Sequence, residues 1–227
     1  MAKTAVKAKT DEVEVFQEIE QGSAAWHEIR RGIPSASRFK TIMADGRDGN
    51  PSETRRKLMN IMAGEIITEE VAETFRSEAM ERGVEMEPEL RDWYGRTRFA
   101  DIAQVGFVKR TVHNPLGSTF AAGCSPDALV AKDGVLEIKT TRPDLLIELM
   151  ERGAGGFPPT HRAQCQGALW VTGRAWCDLI IGYRGMPKLA FRIERDDAYI
   201  ASLAAAVEVF DYELRALVAK VRKIGTA

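Results

Sequence analysis

The chain has no run of about 18 consecutive apolar residues, so no transmembrane helix is expected. Cysteine is scarce. Cys124, Cys165 and Cys177 are odd in number and none stands in CxxC spacing. That excludes a disulfide framework and a zinc site of the usual kind, and points to a reducing cytoplasm. Met1 to Thr10 carry lysines but no apolar core segment. This opening reads as a loose tail rather than a secretory signal, with residues 1–15 expected to be flexible. An excess of one charge is also missing, since 32 Lys and Arg face 33 Asp and Glu for a net charge of −1. The balance does not announce a nucleic-acid binder, nor exclude one, because binding needs only a local basic surface. Repeats and low-complexity tracts are absent, and His27, His113 and His161 share no ligand spacing.

What is present is enough apolar residue, 44% of 227, to build a core for one domain over residues 16–227. Ser23 reads as the N-cap of a helix from Ala24 to Arg31, and Ser35 as the cap of another from Ala36 to about Ala44. Asp45 to Pro51 is a polar, glycine-bearing loop that includes Arg47. Apolar residues at helical spacing predict a helix over Glu53 to Glu81, an interruption at Gly83, and a helix over Glu85 to Arg96 with Pro88 in its first turn. Strand patterns follow at 103–108, 119–122, 128–131 and 135–140. Helices at 145–152 and 160–170, strands at 176–183 and 189–193, and a long helix from Asp197 to about Val221 complete the chain. This order predicts an α/β (α+β) domain with one central mixed sheet flanked by helices.

One segment carries chemistry. Ser125-Pro126-Asp127 precedes Ala128-Leu129-Val130-Ala131, a turn signal Lys132-Asp133-Gly134, and Val135-Leu136-Glu137-Ile138-Lys139. Strand side chains alternate, so the second strand of this hairpin shows Glu137 and Lys139 on one face and sends Leu136 and Ile138 to the core. A two-residue Asp-Gly turn would pair Val130 with Glu137 and turn Asp127 away. A three-residue loop, Lys132 to Gly134 with Gly134 left-handed, pairs Asp127 with Lys139 and gathers all three polar groups, which makes it the expected register. Mg²⁺ takes oxygen ligands, and Asp127, Glu137 and the Ile138 backbone carbonyl could supply them. The metal would activate a bound water, a second ion would stabilise the leaving oxygen, and Lys139 would position the water or stabilise charge. The bland alternative is a surface hairpin with an Asp–Lys pair of little energetic worth. Spacing alone leaves the two readings even.

The accompanying motifs tip the balance. Ser125-Pro126-Asp127, Glu137-Ile138-Lys139 and Gln164-x-Gln166-x-x-x-Trp170 occur in order, an arrangement that resembles the PD-(D/E)xK nuclease superfamily. Ala25-Trp26-His27-x-x-Arg30-x-Gly32, Ser35-Ala36-Ser37, Cys124 before Ser125, Ala163 before Gln164, Trp170-Val171-Thr172 and Ile193-Glu194-Arg195-Asp196 are similar to phage lambda-type alkaline exonucleases, the YqaJ-like viral recombinases. The resemblance spans roughly residues 20 to 215.

It implies a restriction-endonuclease-like core. It also implies a Mg²⁺-dependent 5′→3′ exonuclease on linear duplex DNA that releases mononucleotides and leaves a 3′ overhang. By resemblance, Asp127 and Glu137 are metal ligands with the Ile138 carbonyl, Lys139 is the catalytic lysine, and a glutamate from the helix before the sheet assists. Glu87 matches that glutamate, with Glu85 and Glu89 as neighbours in contention. Gln164 is the expected active-site glutamine, with Gln166 the other candidate. The resemblance further implies two metal ions (Mn²⁺ substituting), a homotrimeric ring, a single-strand annealing protein as partner, and a bacterial or prophage cytoplasm.

A terminal-phosphate pocket has a physical rationale of its own. Ser35 and Ser37 fall at a predicted helix N-terminus, Arg30 brings a fork of donors, and Ser125 adds a hydroxyl. The bland alternative is a helix cap and a surface ion pair. In the family, the positions matching Arg30, Ser37 and Ser125 recognise the 5′-phosphate. Rival readings are a structure-specific or restriction-type endonuclease of the same fold, and a non-catalytic DNA-end-binding scaffold.

Overall fold

A computed structural model describes residues 10–46, 49–72, 78–114, 117–153 and 156–224, with backbone alone at 78–80. In chain order the elements are β1 (Glu12–Phe16), α1 (Ala24–Arg30), α2 (Ala36–Ile42), α3 (Glu53–Thr68), α4 (Glu78–Arg98), β2 (Ile102–Ala103), β3 (Phe107–His113), β4 (Thr119–Cys124), β5 (Ala128–Val130), β6 (Gly134–Thr140), α5 (Pro143–Glu151), α6 (Arg162–Thr172), β7 (Trp176–Gly182), β8 (Leu189–Glu194) and α7 (Asp197–Ile224). A 3-10 turn, Pro159–His161, leads into α6.

The strands form two sheets. The larger has the order β2-β5-β6-β7-β8 and is mixed: β6 and β7 run parallel and the other pairs antiparallel. A second, antiparallel sheet has the order β1-β3-β4. The single sheet expected from sequence is therefore accompanied by a smaller one.

Helices cover both faces of the mixed sheet, which is why its central strands are apolar on both sides. On one face Leu136, Ile138, Ala128, Val130 and Ile180 pack against Leu90 and Tyr94 of α4. On the other, Val135, Cys177, Leu179 and Ile181 meet Cys165, Ala168 and Leu169 of α6, and the cluster continues into Leu203, Val207 and Phe210 of α7. Leu136 and Ile138 thus lie where the alternation placed them. Cys124, Cys165 and Cys177 are buried free thiols. Among the described residues no helix is long and apolar enough to cross a membrane.

Several boundaries differ from the periodicity. Residues 12–15 of the expected tail are strand, paired from Glu12↔Thr111 to Phe16↔Phe107, and residues 1–9 lie outside the described residues. The single helix expected over 53–81 ends at Thr68, where Glu69 takes a left-handed conformation and the Thr68 hydroxyl accepts from the Glu70 amide. Gly83 does not interrupt α4. A Cβ there would stand 3.2 Å from the Thr140 hydroxyl, so close helix–sheet approach favours glycine. Pro88 lies inside α4 rather than in its first turn. It leaves the carbonyl of the exposed Val84 without its helical donor. Arg47 of the polar loop lies outside the described residues, and the loop's base is closed by a bridge between Asp45 and Pro51.

Candidate active site

The hairpin β5–β6 sets the site. Its register is Ala128↔Leu136, Leu129↔Val135 and Val130↔Gly134. This is two residues away from the expected register that paired Asp127 with Lys139, and Asp127 lies just outside the paired strand, its amide donating to the Leu136 carbonyl at 3.1 Å. The loop is Ala131-Lys132-Asp133, with Ala131 rather than Gly134 left-handed at φ 44°. Two tertiary contacts explain the slip. Gly134 lies against the Trp176 ring, where a Cβ would fall 2.1 Å from Cη2. The Arg174 Nη1 donates to the carbonyls of Val130, Ala131 and Gly134, at 3.2, 3.0 and 2.8 Å. Glu137 and Lys139 keep a common face of β6, and Asp127 comes beside them from the turn before β5, its carboxylate accepting from the Ile138 amide between the two.

On that face Glu137 is only 2% exposed. Its Oε2 accepts from Lys139 Nζ at 3.3 Å and from Gln164 Nε2 at 2.6 Å. An Asp127 carboxylate oxygen accepts from the Ile138 amide, and the Asp127 carbonyl accepts from Arg91 Nε at 3.0 Å. Arg91 also donates to Glu87, one turn earlier on α4. Gln21 Nε2 holds the Pro126 carbonyl at 3.2 Å, steadying the Ser-Pro-Asp turn.

The electrostatics follow from burial of like charges. Burial, with repulsion from Asp127 and Glu87, pushes the Glu137 carboxyl up to about 8 against the pull of Lys139. Burial likewise raises Asp127, offset in part by Lys139, the Ile138 amide and Arg91. Glu87 is raised by burial and then by Asp127. Burial alone would lower the Lys139 ammonium, but Glu137 and Asp127 outweigh it and hold it above its ordinary value. Three carboxyls thus lean on two cations, the Lys139 ammonium and the Arg91 guanidinium. The donor set is all oxygen and short of positive charge, which suits a hard divalent cation. Among the described residues no three His, Cys, Asp or Glu side chains converge as a ready ligand set, since Glu87 is turned to Arg91.

The open alternatives separate in space. Gln164 touches Glu137, whereas Gln166 is buried and bonds the Glu194 carbonyl and the Asp196 amide, tying α6 to the start of α7. Glu87 feels Asp127 and Lys139; Glu89 pairs with Lys188 at 3.5 Å, and Glu85 is exposed.

The candidate phosphate pocket lies where the α1–α2 linker docks beside β4, through the Ser35–Gly123 bridge. The Ser35 hydroxyl makes no cap bond to α2. Instead it accepts from Arg30 Nη2 at 3.3 Å and lies 3.5 Å from the Ser37 hydroxyl. The Arg30 guanidinium stacks 3.8 Å over the Trp26 ring, and Trp26 Nε1 donates to the Ser125 hydroxyl and the Gly106 carbonyl, both at 3.0 Å. Trp26 therefore links Arg30 to Ser125. Sequence reasoning missed Arg91, Gln21 and this role of Trp26. Only Arg91 had a signal, its i,i+4 spacing from Glu87.

Comparison with known proteins adds to this geometry. The sequence profile of the YqaJ-like viral recombinase domain matches residues 25–175. The chain is similar in structure to LHK-Exo, an alkaline exonuclease from Laribacter hongkongensis, with 29% identity and a TM-score of 0.75 over 90% of this chain and 98% of that one. LHK-Exo in complex with dAMP matches with the same figures. A phage-related exonuclease from Haemophilus somnus 129PT, 13% identical, has a TM-score of 0.61 over 86% of this chain and 99% of its own, and shows the fold alone. No curated protein sequence matches.

Proposed function

The chain belongs to the YqaJ-like viral recombinase domain family, and from that premise we propose that it is a Mg²⁺-dependent 5′→3′ exonuclease. It acts on linear duplex DNA, releasing 5′-mononucleotides and leaving a 3′ single-stranded overhang for annealing-based recombination. One observation carries the reading: a buried Glu137 that lies beside Asp127 and is gripped by both Lys139 and Gln164. Buried acids beside a lysine cost stability, and groups kept at such a cost cluster at functional sites. The dAMP bound by the similar LHK-Exo supports mononucleotide release.

Asp127, Glu137, the Ile138 carbonyl and Glu87 would hold the metal, one or two ions of Mg²⁺ with Mn²⁺ as substitute. When bound, the metal supplies Lewis acidity and a nucleophilic water at neutral pH. Lys139 donates to charge developing on the phosphate. Gln164 fixes the Glu137 carboxylate. Arg91 holds both the Asp127 backbone and Glu87, so α4 and the hairpin move as a unit. Arg30, Ser35, Ser37 and Ser125 receive the terminal 5′-phosphate and set where the chain is cut. The overhang passes to a single-strand annealing protein, and three subunits close around DNA. Three buried free thiols favour a reducing compartment, the bacterial cytoplasm.

The test uses a linear duplex with a 5′-phosphate on one strand and a 5′-hydroxyl on the other. Mg²⁺-dependent release of mononucleotides from the phosphorylated strand, absent on a closed circle and with Lys139→Ala, is expected. Nicking of the circle would favour an endonuclease, and binding without cleavage under any divalent metal a scaffold.

A further inference from the structure

We propose that Arg38 is a second guanidinium of the terminal-phosphate pocket and sets its preference for a phosphomonoester end, a step that rests on the pocket reading above. Arg38 directly follows Ser37, and its amide is bonded to the Ser35 carbonyl at 2.8 Å. Its side chain is 30% exposed, and Nη1 lies 3.9 Å from Glu65 Oε2. That is the outer limit of an ion pair and well short of a fork-on-carboxylate contact. The other Glu65 oxygen already accepts from the Ala72 amide at 3.3 Å. Glu65 is thus a distant counter-ion for Arg38 rather than a tight partner.

Arg30 stands close by, with its Nε buried and unpartnered. Burial and the Arg38 charge together lower the Arg30 guanidinium to about 10, with Glu65 pulling the other way. Two guanidinia therefore lie in the field of a single carboxylate, which stands within ion-pair reach of Arg38. Like charges in a half-buried pocket with an orphaned donor are relieved by an anion. The charge count says which anion. A phosphomonoester carries about two negative charges near neutral pH, a phosphodiester one and a hydroxyl none. One guanidinium would serve a phosphodiester as well as a terminal phosphate. Two, with Glu65 as resting counter-ion, match the terminal dianion. Arg38 then leaves Glu65 for the phosphate when the end is seated.

The experiment compares kcat/KM on two duplexes identical except for a 5′-phosphate or a 5′-hydroxyl, for the wild type, Arg30→Gln, Arg38→Gln, Arg38→Lys and Glu65→Gln. Arg38→Gln should reduce the phosphate-to-hydroxyl ratio about tenfold, the size of a lost charge-assisted contact. Arg38→Lys should restore part of it, keeping the charge without the fork. Glu65→Gln should raise the ratio, because the competing carboxylate is gone. A merely structural Arg38–Glu65 pair would not move the two variants in opposite directions. An unchanged ratio in Arg38→Gln, beside a collapsed one in Arg30→Gln, overturns the role of Arg38 and leaves the pocket standing. A wild type that cuts both ends equally overturns the pocket itself. If Arg38→Gln does not fold, Glu65→Gln decides: a raised ratio supports the proposal, and an unchanged or lowered one overturns it.

Discussion

Glu137 is a carboxyl where ionisation is costly, and the cost has a measurable pH signature. The unfolded chain releases its proton near pH 4.5, the folded chain near pH 8. Below the first value both states hold the proton and stability is unaffected. Between the two the unfolded state ionises first, so stability of the metal-free protein falls with rising pH; above the second the penalty is constant. Thermal melting without metal should therefore show Tm declining from about pH 5 to pH 8, and Glu137→Gln should flatten that decline while abolishing cleavage. Mg²⁺ should raise Tm more at pH 9 than at pH 6, since ionised carboxylates bind it. A wild-type Tm that is flat over this range would contradict the buried, raised carboxyl. The two glutamines give a second contrast. Gln164→Ala should lower the rate ~10–100-fold with little change in stability, because it acts through Glu137. Gln166→Ala should cost ~1–3 kcal/mol in urea unfolding by stranding the Glu194 carbonyl and the Asp196 amide. The family resemblance favours Gln164, but helical pattern by itself does not choose between them. Positions two apart on a helix face different ways, and which way is decided by packing.

At the level of elements, the β5–β6 hairpin shows what was legible and what was not. Alternation gave the common face of Glu137 and Lys139, because parity along β6 survives a slip of two residues, while Asp127 joins them from outside the paired strand. The loop itself was misread, since Asp133-Gly134 looks like local turn chemistry. Gly134 is instead glycine for a contact 42 residues downstream in sequence, the Trp176 ring. Gly134→Ala should therefore destabilise by ~1–3 kcal/mol through overpacking, although its φ is not left-handed. Equilibrium unfolding checks this; a neutral outcome would mean that the ring moves aside freely. β1 was missed for a related reason. Glu12-Val13-Glu14-Val15-Phe16 alternates, but Val13 and Val15 remain 41% and 45% exposed, so it reads as polar tail until β3 pairs with it. The break after α3 was hidden because apolar spacing ran on past Thr68, and only the backbone at Glu69 reveals the stop.

The whole molecule must reconcile a net charge of −1 with a polyanionic substrate. The proposed closed ring of three subunits would do so. In it, exposed basic side chains such as Lys40 would face an enclosed duplex while acids face outward, and enclosure would replace the long-range attraction that net charge does not provide. The ring reading also assigns a use to the outward side of α7, where Val209, Tyr212 and Ile224 are 52%, 74% and 69% exposed. In the proposed ring these groups would be covered by a neighbouring subunit. The reading makes two linked demands. Sedimentation should give three times the 25.2 kDa chain mass. Protein loaded on a long duplex should continue degrading it after a large excess of unlabelled duplex is added, because a topological link outlasts surface contacts. A monomer that stops at once under that challenge would remove the ring and leave binding to the local basic surface alone. Its affinity would then fall steeply with added salt. A trimer that also stops at once would keep the assembly but deny that DNA runs through it.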